Sequence, residues 1–343
     1  MSTQIRLVVL ATMVVFALPP GSPARAQTPA PPTTTEPAAK APTATKAVLA
    51  VAKRFKSPEE AAEALAAAVR AHDTNALLGI FGSEARTLIS SGDPVADRQT
   101  RDLFVQRYDA SHRLVPAGAT VTLQIGNDDW PFPIPLVKDR DQWRFDVRQG
   151  REEIIARRIG RNELNTMQVC LAFVDAQREY YAEDRNGDGI LEYAQRFQSS
   201  PGQRDGLYWP SQPGEPPSPL GDLVVRAQAR GYQLGKTAKQ APFHGYLFRI
   251  LTGQGPAAPD GVYDYIVSGH MIAGFAMVAF PAEYGVSGVM TFIVNQDGIV
   301  YQKDLGPTSG KIAAGMRRFD PDSSWAKVDV DAPAAQAGVM SRP

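Results

Sequence analysis

An α+β fold is predicted by three features of this sequence. Its first folded half reads as helices followed by strands rather than as an alternation of the two. A proline-free stretch near the middle carries apolar residues at helical spacing. The remainder is a series of short strand patterns separated by turn residues. The chain has 343 residues, 43% of them hydrophobic, which is room for two domains of roughly 100–200 residues each. The expected division is a signal segment 1–26, a tether 27–50, an N-terminal α+β domain 51–150, a long helix with an antiparallel sheet 151–330, and a disordered tail 331–343.

Lysine plus arginine equals aspartate plus glutamate at 36 each, so no basic field exists to gather nucleic acid, which is excluded as a partner. At the start, Arg6 precedes an apolar run from Leu7 to Leu18, and Ala24-Arg25-Ala26 follows. This is the three-part pattern of a secretory signal cleaved near Ala26, and it implies a periplasmic or secreted protein. The apolar run is well short of the ~20 residues that span a bilayer, and no later segment is long enough, so no membrane span is expected. The tether is proline, threonine and alanine, too poor in large apolar groups to offset chain entropy. Cys170 is the single cysteine, which rules out an internal disulfide and leaves a buried inert thiol or an intermolecular bridge.

The elements follow in order. Ser57-Pro58-Glu59-Glu60 supplies a cap, a first-turn proline and acids at a helix start, predicting a helix to about His72. A second helix is expected over Asn75–Phe81 and a third from Asp97 to about Tyr108, after the turn residues Ser91-Gly92-Asp93-Pro94. The period then changes to two: Thr120–Ile125 and Gln142–Val147 alternate as half-buried strands, and Leu136–Lys138 pairs with the latter through the turn Asp139-Arg140-Asp141. Helices followed by a curved antiparallel sheet are similar to an NTF2-like or cystatin-like layer. From Glu152 to about Glu183 the apolar spacing predicts one long amphipathic spine, with Gly160 as its weak point. Coil follows over Pro201–Leu220, then a short helix near Asp222–Arg230. Strands are expected at Gly245–Ile250, Tyr263–Val267, Phe275–Phe280, Val289–Val294 and Ile299–Lys303, the last two joined by the turn Asn295-Gln296-Asp297-Gly298.

The strongest local motif is Asp184-Arg185-Asn186-Gly187-Asp188-Gly189-Ile190-Leu191-Glu192. In the register of a calcium loop, Asp184, Asn186 and Asp188 take the first, third and fifth positions, Ile190 offers its carbonyl at the seventh and Glu192 stands ninth. Gln195, at the twelfth, lacks the carboxylate that normally closes the shell. A structural Ca2+ and a glycine-rich helix stop with solvated acids are the two readings. In Asn127–Pro135, Asp128, Asp129, Trp130 and Phe132 sit in a proline-stiffened segment that either lines a ligand groove or plugs a core edge. Arg157, Arg158 and Arg161 form a cationic patch, but Glu153 precedes Arg157 by one helical turn, which favours a solvated, ion-paired face. The four histidines show no metal-ligand spacing, and no serine stands in a nucleophile elbow.

The residues Ile89–Pro94, Asp129–Pro133, Gly150–Ile154, Arg161–Glu163, Tyr208-Trp209-Pro210 and Tyr284–Phe292 together resemble the bacterial secreted family described as domain of unknown function 2950 (DUF 2950), over about residues 50–328. That resemblance implies an envelope protein with a signal segment and no established activity. A long helix, the strand Gly245-Tyr246-Leu247-Phe248 and the strand pair at 291–300 also look like the head domains of type IV pilins and pseudopilins. The sequence thus favours a non-catalytic binding or assembly module of the cell envelope with a calcium loop and an envelope protein or unidentified small molecule as partner. The alternatives are a hydrolase using acids such as Asp128, Asp129 and Glu283 in a cleft between the domains, and a pilus-associated, pilin-like subunit.

Overall fold

Ser57 opens the first helix, α1 (Pro58–Arg70), by accepting the Glu60 amide at 3.2 Å, as its capping position requires. In the computed structural model, which describes residues 52–233 and 241–329, the chain then forms α2 (Thr74–Phe81), the single turn α3 (Arg86–Ile89) and α4 (Pro94–Ala110). The expected signal segment, tether and tail lie outside the described residues. α3 is too short to leave a periodic pattern in the sequence. α4 begins three residues before the expected Asp97, because Asp93 caps it and Pro94 needs no amide hydrogen in the first turn.

Five antiparallel strands follow: β1 (His112–Ala117), β2 (Thr120–Ile125), β3 (Trp130–Pro131), β4 (Leu136–Asp139) and β5 (Gln142–Phe145). They run in the order β1-β2-β4-β5, with β3 beside β4 on the same edge of β2. Val121, Leu123 and Ile125 alternate inward on β2 and meet Leu65, Phe81 and Phe145 in a first hydrophobic core.

One helix, α5 (Val147–Tyr181), then runs unbroken for 35 residues, about 52 Å at the usual rise. It starts five residues before the expected Glu152 because the chain leaves β5 at Asp146, and Gly160 does not interrupt it. Val147 belongs to the first core, whereas Cys170, Phe173, Val174 and Tyr180 belong to a second. The expected boundary at 150/151 therefore falls inside a helix, with no linker between the cores. Close approach fixes Gly150: a Cβ there would strike the Pro133 carbonyl.

The second core is built on α6 (Gly221–Ala229), β6 (Tyr246–Leu251), the two-residue strands β7 (Gly253–Gln254), β8 (Tyr263–Asp264), β9 (Ile266–Val267) and β10 (His270–Met271), and then β11 (Ala276–Pro281), β12 (Met290–Asn295), β13 (Tyr301–Asp304), α7 (Ser309–Gly315), β14 (Arg318–Phe319) and β15 (Ala326–Lys327). The main sheet is antiparallel, ordered β15-β13-β12-β11-β6, and α5 packs on β12 and β11. Every residue of β11 is buried, so both faces of this central strand are covered. The expected strand Tyr263–Val267 divides at Tyr265, whose buried ring enters the core. No helix among the described residues is long and apolar enough to cross a membrane.

The two cores are tied by buried polar contacts. Asn162 on α5 donates to the Ser287 carbonyl at 2.9 Å, and the Glu163 carboxylate accepts the Val289 and Met290 amides at 2.9 and 3.0 Å. Asp93, fully buried, caps α4 with one carboxylate oxygen and accepts the Gly245 amide at 3.0 Å with the other.

Candidate functional site

Between the helices of the first half and the Trp130–Ile134 segment lies a cavity of about 420 Å³. Its volume falls in the ~300–1,000 Å³ range of small-molecule sites. Buried Leu65, Val69, Leu77, Phe81, Ile125 and Ile134 form its apolar floor. Phe132 adds an aromatic wall, its ring 5.6 Å from Phe104 and 6.5 Å from both Phe81 and Trp130. Gly150 lets α5 approach Pro133 and closes this side.

The polar part of the lining is one-sided. Arg101 and Arg107 come from α4, and Arg157, Arg158 and Arg161 from α5, against a single acid, Asp97. Arg107 and Arg157 lie 5.9 and 5.8 Å from the Trp130 ring, within cation–π reach. Asp128 holds Arg107 at 3.3 Å, and Glu153 pairs with Arg157. Arg158 donates to the Thr87 and Leu88 carbonyls at 2.7 and 2.6 Å. Burial pulls its guanidinium below the usual range; Asp97 and Glu283 oppose that shift, and Arg161 reinforces it. Arg101 donates to the Ile89 carbonyl at 3.0 Å.

Of the residues expected to line a groove, Trp130 and Phe132 do line this cavity. Asp128 and Asp129 stand outside its lining, at half-exposed positions, and Asp129 pairs with Arg113 at 2.8 Å. These two acids are held by separate arginines and do not form an acid–base pair with one another. The cluster Arg157, Arg158 and Arg161 reads in sequence as a solvated face. The Glu153 pair of that reading forms, yet the same three residues line the cavity. The i, i+4 rule describes one helix and is silent about α4 lining the same cavity.

The second candidate is the loop after α5. Asp184 accepts the Gly187 and Gly189 amides at 2.7 and 2.8 Å, which holds its carboxyl below the usual carboxylate range, the Gly189 bond contributing most. Both glycines have positive φ, 78° and 85°, as this tight curl requires. Asp188 accepts the Ile190 amide at 2.9 Å, so the Ile190 backbone is held in the loop. Asn186 donates through one amide nitrogen to Asp188 at 2.8 Å and to Glu192 at 2.7 Å.

Sequence reasoning missed His270. A two-residue turn, Ser268-Gly269, with φ of 51° and 93°, presents it from the β9–β10 hairpin. Its Nδ1 lies 3.1 Å from Glu192 and 3.5 Å from Asp188. Donor atoms of Asp188, Glu192 and His270 lie within 4.8 Å of one another, close enough to share one ion. Gln195 instead anchors the hairpin, donating to the Gly269 carbonyl at 2.6 Å. No local spacing signals a partner 78 residues away.

The architecture is thus an α+β protein with an arginine-lined apolar cavity and a separate carboxylate–histidine loop. Residues 52–328 match the family described as a protein of unknown function (DUF2950), and the chain belongs to that family. Comparison with curated proteins and with solved structures gave no match.

Proposed function

We propose that this protein is a non-catalytic ligand-binding module of the bacterial cell envelope, exported by its leading segment, and that its 184–192 loop is a structural cation site. The cavity carries the reading: an apolar floor, an aromatic wall and convergent polar groups are what a small-molecule site requires. Of the acids that a hydrolase would need, Asp128 and Asp129 are solvated partners of Arg107 and Arg113, and Glu283 is exposed outside the cavity lining. On α5, Leu164 is the one exposed large apolar residue among those described, which argues against an assembly strip of pilin type.

For the loop, the oxygens of Asp184, Asn186, Asp188 and Glu192 suit calcium, with the Ile190 carbonyl as a further donor. His270 extends the donor set toward ions that accept imidazole. The loop lies away from the cavity lining, and its role here is to fasten the end of α5 to the β9–β10 hairpin.

The test is titration with a neutral naphthyl dye that brightens in apolar surroundings. Saturable brightening in the wild type, lost in Thr100→Trp, supports the reading. Thr100 lines the cavity at an exposed position, so a bulky ring there blocks the cavity without disturbing the core. Absence of saturable brightening in the folded wild type contradicts it.

A further inference from the structure

The arginines define the ligand class, an inference that rests on the cavity being a binding site. Of the five that line it, Arg107 and Arg157 are neutralised by Asp128 and Glu153. Arg158 faces Asp97, whose carboxylate also accepts the Ser91 amide at 3.0 and 3.1 Å. Arg101 makes no ion pair among the described residues, and its hydrogen bonds to the Ile89 carbonyl and Thr74 leave its charge uncompensated. The Arg161 side chain makes neither an ion pair nor a hydrogen bond among the described residues and stands exposed one turn from Arg158. Two uncompensated guanidiniums on two helices that line one cavity, with an apolar floor, are complementary to one negative head on one apolar tail.

We infer that the cavity takes an amphipathic monocarboxylate of fatty-acid type, its tail on Phe81, Phe104 and Phe132 and its carboxylate between Arg101 and Arg161. Guanidinium favours such a head because two parallel N–H groups match the two carboxylate oxygens. A cationic amphiphile is rejected by the same charges. A neutral one keeps the tail contacts and gains nothing from the arginines.

The experiment is calorimetric titration of the full chain with octanoate and with octanol, two probes of equal chain length. Octanoate is expected to bind at least about tenfold more tightly, the discrimination that charge-assisted hydrogen bonds supply. Arg161→Gln should erase most of that preference and leave octanol binding unchanged; Arg161→Lys should restore part of it. Because Arg161 is exposed and unpaired, these variants are expected to melt as the wild type does. Vesicles of anionic lipid serve as the other source of the same head chemistry. Capture of vesicles with no binding of free octanoate would overturn the assignment to a free acid. Equal binding of octanoate and octanol would overturn the anion inference and leave the cavity reading standing. A preference for octanoate that survives Arg161→Gln unchanged would overturn the role of Arg161. If neither probe binds, both the inference and the reading beneath it fall.

Discussion

The Tyr232 hydroxyl donates to the Asp93 carboxylate at 2.9 Å, with both residues buried and 139 positions apart in the chain. The same carboxylate caps α4, so the helix carrying Arg101, Phe104 and Arg107 is held from the second half of the molecule. The hydroxyl's own titration is pushed up by burial and by the Asp93 charge. Asp93→Ala should cost about 3–5 kcal/mol, since it strands the Tyr232 hydroxyl and the Gly245 amide and removes a cap. Tyr232→Phe, which leaves Asp93 its other donors, should cost about 1–2 kcal/mol. Urea unfolding of the two variants checks the order. Equal, sub-kilocalorie losses would mean that this link does not hold the helix.

Gly150 sets the distance between α5 and the Pro133 segment. Gly150→Ala places a methyl against backbone rather than against a movable side chain, and overpacking of that kind costs about 1–3 kcal/mol. The same change at Gly160, where a Cβ meets nothing within 4 Å, should be neutral or stabilising. Thermal melts of the pair separate the two cases.

His244 packs at a tilt against Phe243 and edge-on against Tyr232, and faces Asn165. Burial lowers its titration below the ordinary value near 6.5, helped by Arg230 and Arg161 and opposed by Asp93. Below pH ~6.5 the unfolded chain therefore takes up a proton that the native state refuses, and this group's contribution to stability falls as pH falls from there to the folded value. His244→Gln should flatten that part of the stability–pH curve relative to the wild type. An unchanged slope would show that His244 titrates alike in both states.

Calcium should raise the melting temperature of the protein and a chelator should reverse it. The expected gain is about 2.7 kcal/mol when free ion is a hundredfold above its dissociation constant. Asp184→Ala/Asp188→Ala should abolish the response. His270→Ala should leave calcium stabilisation in place and remove any stabilisation by zinc, because imidazole ligates the second ion and not the first. A melting temperature indifferent to every ion and to chelator would reduce the loop to a glycine turn.

What the sequence made legible was local. The Ser57 cap, the hairpin turns at 139–141 and 295–298 and the long apolar periodicity of α5 each sit within a few residues of their cause, and each appears in the fold. The aromatic part of the cavity was also visible, in Trp130 and Phe132. The cavity itself was hidden, since Arg101 and Arg161 belong to different helices and line one cavity only in the folded chain. His270 and Tyr232 were hidden for the same reason: each reaches its carboxylate across a long stretch of chain. Local rules located Arg157 on a solvated face correctly as far as Glu153, and could not include the opposite wall.

Binding of a small amphipathic molecule is proposed for the cavity lined by α4, α5 and the Trp130–Ile134 segment. Its most direct test is octanol titration into the folded wild type and Thr100→Trp. One saturable site is expected in the wild type, weakened at least about tenfold in the variant, because a bulky side chain occupies the space the ligand needs. Equal binding by both proteins, or none by either, would contradict it.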